Sequence, residues 1–254
     1  EAVHHAIIVA VPEGAADALD AADPEYGYEC FGDFGIYNIS DFLGGYAPGM
    51  VTREWPHGLA QRIPANSDLI VQMHYAPLNT DQSDQSSINI FLKDEPANRE
   101  VQQFIFADWT FLLPPDQETT VTRTFYVPAS VSMVNILPHC HLLGKSWEIY
   151  ATTFQGDTIP IIKIPDWDFD WQFWYSPEYM MHLPIGAVVH ISCIYENTTD
   201  NWIYWGDSTD DEMFFVPFRY VLYKEGDENI YLGEGGDDLA IDDHLITNKY
   251  MWAD

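Results

Sequence analysis

The chain has 254 residues, 47% hydrophobic and 15% aromatic, which suffices for packed cores and excludes a disordered chain. Forty acidic residues against ten basic ones give a formal charge of −30, which repels phosphate backbones and anionic lipid and excludes nucleic acid as a partner. No apolar run approaches the roughly 20 residues of a membrane helix, so no membrane span is expected.

In chain order, residues 6–11 form a strand-sized apolar run and residues 15–22 suit a short helix. Strands are predicted over residues 68–75, 87–92, 120–127, 147–154, 187–195 and 214–223, each rich in Val, Ile, Thr, Tyr and Phe and set off by Gly, Pro, Asn or Asp. Such short, evenly punctuated runs predict an all-β protein of antiparallel sandwiches or jelly rolls. A polar stretch at 93–99 separates two strand-rich blocks, giving a first domain over 1–95 and a second over 98–223. From Lys224 the composition turns to glycine and acid, which predicts an exposed extension over 224–254, with Tyr250, Met251 and Trp252 available to anchor its end.

The acids are scattered through turn-like stretches, as on a solvated surface, although the same field would draw metal ions or cationic partners. Three cysteines, Cys30, Cys140 and Cys193, allow at most one internal bridge. The sequence opens at Glu1 without a basic and apolar leader, so either there is none or it has been removed. Asn38-Ile39-Ser40 and Asn197-Thr198-Thr199 fit the glycosylation triplet, a pattern common by chance.

Four features carry metal-binding chemistry. In Pro138-His139-Cys140-His141, strand alternation puts His139 and His141 on one face as a two-imidazole clamp and turns Cys140 toward the core as a small hydrophobe. His4-His5 are adjacent, so both reach one ion only at a bulge or a strand start. His74 lies in Gln72-Met73-His74-Tyr75 on the face of Ile70 and Gln72. Met213 follows the acidic turn 206–212 and opens an apolar run. Imidazole suits several transition metals, whereas a thioether is soft and selects copper, Cu(I) above all. Each feature alone also has an ordinary structural explanation, and spacing does not group them.

Together with Gly45-Tyr46-Ala47-Pro48-Gly49, His139-Cys140-His141-Leu142-Leu143-Gly144 and Asp211-Glu212-Met213, these motifs stand in the order found in copper type II, ascorbate-dependent monooxygenases, which the chain resembles from about His4 to Tyr223. That family includes the peptidylglycine α-hydroxylating and dopamine β-monooxygenases; the run 166–172 resembles its bacterial members most. The resemblance implies two tandem antiparallel jelly-roll-like β-sandwich domains across a solvent-filled cleft, with two copper ions in separate sites. It assigns His4, His5 and His74 to an electron-donating copper on the first domain, and His139, His141 and Met213 to an oxygen-activating, catalytic copper on the second. It further implies O2, ascorbate or another one-electron donor, an unidentified small-molecule substrate hydroxylated at C–H, and an extracellular or periplasmic setting. The alternative is a copper-binding or electron-transfer subunit of a larger assembly that does not hydroxylate.

Departures narrow the reading. Where peptide-processing relatives carry an arginine two residues before the histidine pair, this chain has Leu137, and their pocket tyrosine falls at Phe218 or is absent, which disfavours peptide amidation. The cysteine expected after the copper methionine is Phe214, which leaves Cys193 without that partner; Cys30 also reads as unpaired. The resemblance also implies strands before the double histidine, so the first domain reads as lacking its first strands; these lie on a protein partner, have been cleaved away or belong to a region upstream of the sequence. The run Asp166-Trp167-Asp168-Phe169-Asp170 reads as a turn, because Trp171 and Pro177 stand where a calcium loop needs Gly and Glu. Hydrogen-bonded structural roles are expected of His182 and His190, and His57 and His244 lack partner groups in the sequence.

Overall fold

The computed structural model describes residues 3–30, 33–47, 50, 54–56, 58–75, 80–81, 83–94 and 96–233. Pro48, Gly49, His57, His244, Tyr250, Met251, Trp252 and the tail from 234 onward lie outside the described residues. The chain divides into two compact units, Glu1–Glu100 and Val101–Asp254. Both are β-structures; apart from a 3₁₀ turn, the one helix among the described residues is α1 (Asp17–Asp20). It is shorter than the 15–22 expected, since Ala16 provides no capping side chain and Asp20 sits unfavourably at the C-terminal end.

The first unit contains β1 (Val3–Pro12), β2 (Asp41–Tyr46), β3 (Leu59–Ala60), β4 (Ser67–Tyr75) and β5 (Arg99–Glu100). β1 lies between β2 and β4 in an antiparallel sheet, and β3 pairs with β5 in parallel. Val9 and Val11 of β1 form a small core with Phe34, ringed by Ile7, Ile39, Phe42 and Ile70. Gly45 is required where β2 crosses β1, because a Cβ there would collide with the Ala6 carbonyl. Residues 87–92, expected as a strand, are irregular; Phe91 and Leu92 are 83% and 78% exposed. Alternating apolar residues make a strand only where a sheet edge pairs and buries them, and here the run meets neither condition.

The second unit comprises β6 (Gln102–Ala107), β7 (Leu112–Leu113), β8 (Gln117–Tyr126), β9 (Val131–Ile136), β10 (Gly144–Thr152), β11 (Thr158–Ile164), β12 (Met181–Leu183), β13 (Val188–Asn197), β14 (Ile203–Tyr204) and β15 (Phe215–Leu222). Two four-stranded antiparallel sheets, ordered β11-β10-β13-β8 and β12-β9-β15-β6, share one core, and β14 pairs with β7. Ile149, Val189 and Ile191 enter that core from the first sheet, and Met133, Ile136 and Val216 from the second. The period-two burial of β10 and β13 is the alternation a half-buried strand requires. Fully burying each large apolar side chain contributes about 1.5–3 kcal/mol, so Trp147, Phe214 and the isoleucines dominate the stability of this unit. Phe214 packs against Trp147 at 5.1 Å between ring centroids.

Asn197 is not available as a glycan acceptor in this fold. It is buried, its Nδ2 donates to the carbonyls of Leu113, Pro114 and Asn201, and its Oδ1 accepts from Thr199 N. The side chain fastens the end of β13 to the strap leading out of β7. His190 has the expected hydrogen bond, Nε2 to Thr152 Oγ1 at 3.0 Å. His182 departs from expectation: it stacks on Tyr223 at 3.7 Å, and its buried Nε2 has no hydrogen-bond partner. Asn197→Ala strands three carbonyls and is expected to cost about 2–3 kcal/mol, lowering the thermal midpoint by roughly 5–10 °C. Peptide mapping of material from a glycosylating host is expected to find Asn197 unmodified.

Candidate metal centre

The His139-x-His141 segment leaves β9 and forms a single bridge to the start of β15, His139 pairing with Phe215 through bonds of 2.8 and 3.1 Å. Beyond that bridge, the backbones of His141 and Met213 both donate to one carboxylate oxygen of Glu212. Cys140 between them is buried in the core, so His139 and His141 turn away from it together. Their rings stand edge to face, 5.3 Å between centroids.

Glu212 joins the two segments. It has no solvent exposure, and its carboxylate accepts from His141 N at 2.8 Å, Leu143 N at 2.6 Å and Met213 N at 3.1 Å, with a further backbone bond from Gly144. Burial pushes its carboxyl up to about 7 in spite of these donors. The neighbouring contacts continue the lacing: His141 Nδ1 donates to Asp211 O at 3.1 Å, Tyr195 Oη donates to Met213 O at 2.7 Å, and Trp167 Nε1 donates to His141 O at 3.0 Å. Phe169 meets the His141 ring edge-on.

These contacts fit a copper ligand set. With Nδ1–H given to Asp211 O, the His141 tautomer leaves its lone pair on Nε2, the arrangement by which a second contact orients a metal-binding imidazole. Burial also lowers the pKa of His141, which favours the neutral, ligating form. Two imidazoles and a thioether together make a soft set suited to Cu(I) and unattractive to zinc.

In the first unit the register of β1 against β4 shifts between Val3 and His5, so His4 sits at an irregularity at the strand start, and His5 pairs with His74. His4 Nδ1 and His5 Nδ1 approach to 2.9 Å. Two nitrogens on one ion with metal–nitrogen bonds of about 2 Å lie at such a spacing. His74 stacks on His5 at 3.9 Å between centroids, and its Nε2 meets Gln72 Oε1 at 3.0 Å. The buried Gln72 is anchored in turn to Asp33 O and Cys30 Sγ, so it fixes the His74 ring and directs Nδ1 away. The three rings are in contact, although stacking of His5 on His74 does not converge all three nitrogens. Among the described residues no three His, Cys, Asp or Glu side chains form a complete metal group.

Glu212 escapes notice in the sequence because it closes an acidic turn. The available signal was alternation: with Met213 facing the site, Glu212 and Phe214 face the core, and both are fully buried. Trp167 and Tyr195 leave no comparable sign, since their hydrogen bonds go to backbone atoms distant in sequence.

Residues 112–230 match the family described as copper type II ascorbate-dependent monooxygenase, C-terminal domain. No curated protein matches the sequence. Among solved structures, a chain from the infectious bursal disease virus Gt strain is similar at 13% identity and a TM-score of 0.23, over 86% of this chain. This chain spans 59% of the length of that viral chain, and a likeness so low carries no argument.

Glu212→Gln sets an amide NH2 against backbone N–H donors and is expected to cost about 2–4 kcal/mol. Thermal denaturation should then show a midpoint lowered by roughly 5–12 °C. A midpoint unchanged by this substitution would contradict the role of the carboxylate as the joint between the two segments.

Proposed function

We propose, from the match of residues 112–230 to the C-terminal domain of the copper type II ascorbate-dependent monooxygenases, that the chain binds copper at His139, His141 and Met213 and hydroxylates a substrate C–H bond. The observation that supports this reading is the bridge of His139 with Phe215, together with the Glu212 carboxylate that accepts from both His141 N and Met213 N. His4, His5 and His74 hold a second copper on the first unit, supported by the 2.9 Å approach of His4 and His5 Nδ1 and by the strand register that pairs His5 with His74.

Copper, when bound, supplies one-electron chemistry and activation of O2. The overall reaction consumes O2, two electrons and two protons, inserts one oxygen into C–H and releases the other as water. Ascorbate, or another donor giving one electron at a time, provides the electrons. The chain's own residues have simpler tasks. His141 presents a neutral imidazole in one tautomer, fixed by Asp211 O. Met213 is held by its own backbone, N to Glu212 and O to Tyr195. Phe169 and Trp167 line the His141 side with aromatic surface, which limits water there.

The substrate is a small molecule other than a peptide carboxylate. Leu137 offers no charge, and Phe218 is packed into the core against Phe104 and Phe125 and offers no hydroxyl. An extracellular or periplasmic setting suits such oxidative chemistry.

Elemental analysis after copper loading and dialysis is expected to give about two coppers per chain, and about one in His139→Ala. Met213→Ala should weaken Cu(I) binding at one site about tenfold or more while the three-histidine site stays loaded. Equal loss from both sites would contradict the assignment. Ascorbate-dependent O2 consumption that rises with a C–H substrate supports hydroxylation; copper retention with no such consumption favours an electron-transfer subunit.

A further inference from the structure

Behind the His139-x-His141 clamp lies a second pair of reactive side chains, buried and outside the copper reading. Cys140 and Cys193 are both wholly inaccessible and belong to one core. Cys140 lies on the segment between β9 and β10, and Cys193 lies on β13, opposite Trp147 of β10. Cys140 Sγ is pressed onto the backbone of Gly144, where any Cβ would collide with it. Gly144 is the register partner of Tyr195, two residues from Cys193 on the same face of β13. The two thiols are close enough to interact electrostatically, and both are free in this structure. The glycine approach and the β10–β13 register thus place the two sulfurs in one neighbourhood of the core. Cys30 is apart from them, in the first unit, beside Gln72.

We propose that Cys140 and Cys193 form an intrachain disulfide that ties the histidine clamp to the centre of its neighbouring sheet. The oxidant is a low-molecular-weight disulfide. One thiol attacks it, forming a mixed disulfide and releasing one small thiol; the second cysteine then displaces the other. Two S–H bonds are lost and one S–S bond is formed, while the external disulfide takes up the two electrons and two protons as two thiols. Both thiols are wholly buried in the closed fold and out of reach of a small disulfide. Exchange therefore belongs to folding, before the 139–144 segment closes over β13. Once formed, the bond is shielded from reductants by the same burial. The inference does not rest on copper, and it suits a protein that folds in an oxidising compartment.

The test refolds the full chain from denaturant in an oxidised and reduced glutathione couple, alkylates it under denaturing conditions and maps its peptides. The expected result is a linked peptide pair containing Cys140 and Cys193, with Cys30 outside the link. Cys140→Ser and Cys193→Ser should each abolish the link. The oxidised form should melt about 5–10 °C above the same chain refolded in excess thiol. Three alkylated cysteines after oxidative refolding, or a link that includes Cys30, would overturn the proposal. The map of the unsubstituted chain decides the question even where a serine variant fails to fold.

Discussion

A carboxylate withdrawn wholly from water, as Glu212 is, loses several kcal/mol of hydration that only hydrogen bonds can return. Bonds to a charged acceptor return about 1.5–3 kcal/mol each, so the backbone donors of His141, Leu143, Gly144 and Met213 are needed together. Those donors come from two segments some seventy residues apart in sequence, which means the acid cannot be satisfied unless the segments meet in one register. The requirement for satisfaction is therefore also a requirement on geometry. Asp211 O then falls within reach of His141 Nδ1, and Met213 O within reach of Tyr195 Oη. The rise of the Glu212 carboxyl to about 7 indicates that desolvation still outweighs the donors in part.

The sandwich supplies what this joint cannot. β10 and β13 bury alternate residues almost completely, so the floor beneath residues 139–144 is close-packed and resists displacement. The clamp itself stands just past the end of β9, held by one bridge rather than by a full ladder. It is stiff because of what it is fastened to. The histidines of the first unit stand differently, on paired strands over a core of three fully buried residues. Their order depends on the β1–β4 register and on the Gln72 anchor rather than on deep burial.

Period-two reasoning was sufficient for much of this. It led to the strands at 68–75, 120–127, 187–195 and 214–223, to the inward Cys140, and to the need for an irregularity beside His4 and His5, because each follows from alternation along one stretch of chain. It failed where the deciding partner lies elsewhere. Residues 87–92 have strand composition and no strand to pair with among the described residues. Asn197 fits a surface triplet and is consumed internally by three carbonyls. His182, expected in a hydrogen-bonded role, stacks on Tyr223 and leaves its buried Nε2 without a partner. Glu212 looks like one more solvated acid in a chain that has forty of them. In each case local pattern states a capacity, and the tertiary neighbour decides its use.

The abundance of acid and the neutrality of the proposed ligands belong together. A formal charge of −30 gives no support to the fold, and the ion pairs of Lys145 with Glu118 and Glu196 are exposed and worth little. Stability rests on the apolar core and on a few buried polar joints. The acids act at longer range, drawing cations toward the protein within the 8–10 Å that salt allows. Imidazole and thioether donors then discriminate among the cations by softness rather than by charge, and no carboxylate stands among the six proposed ligands to favour a hard ion. The one carboxylate at the centre, Glu212, is turned to backbone N–H groups, which keeps its charge engaged in holding the ligands instead of competing for the metal.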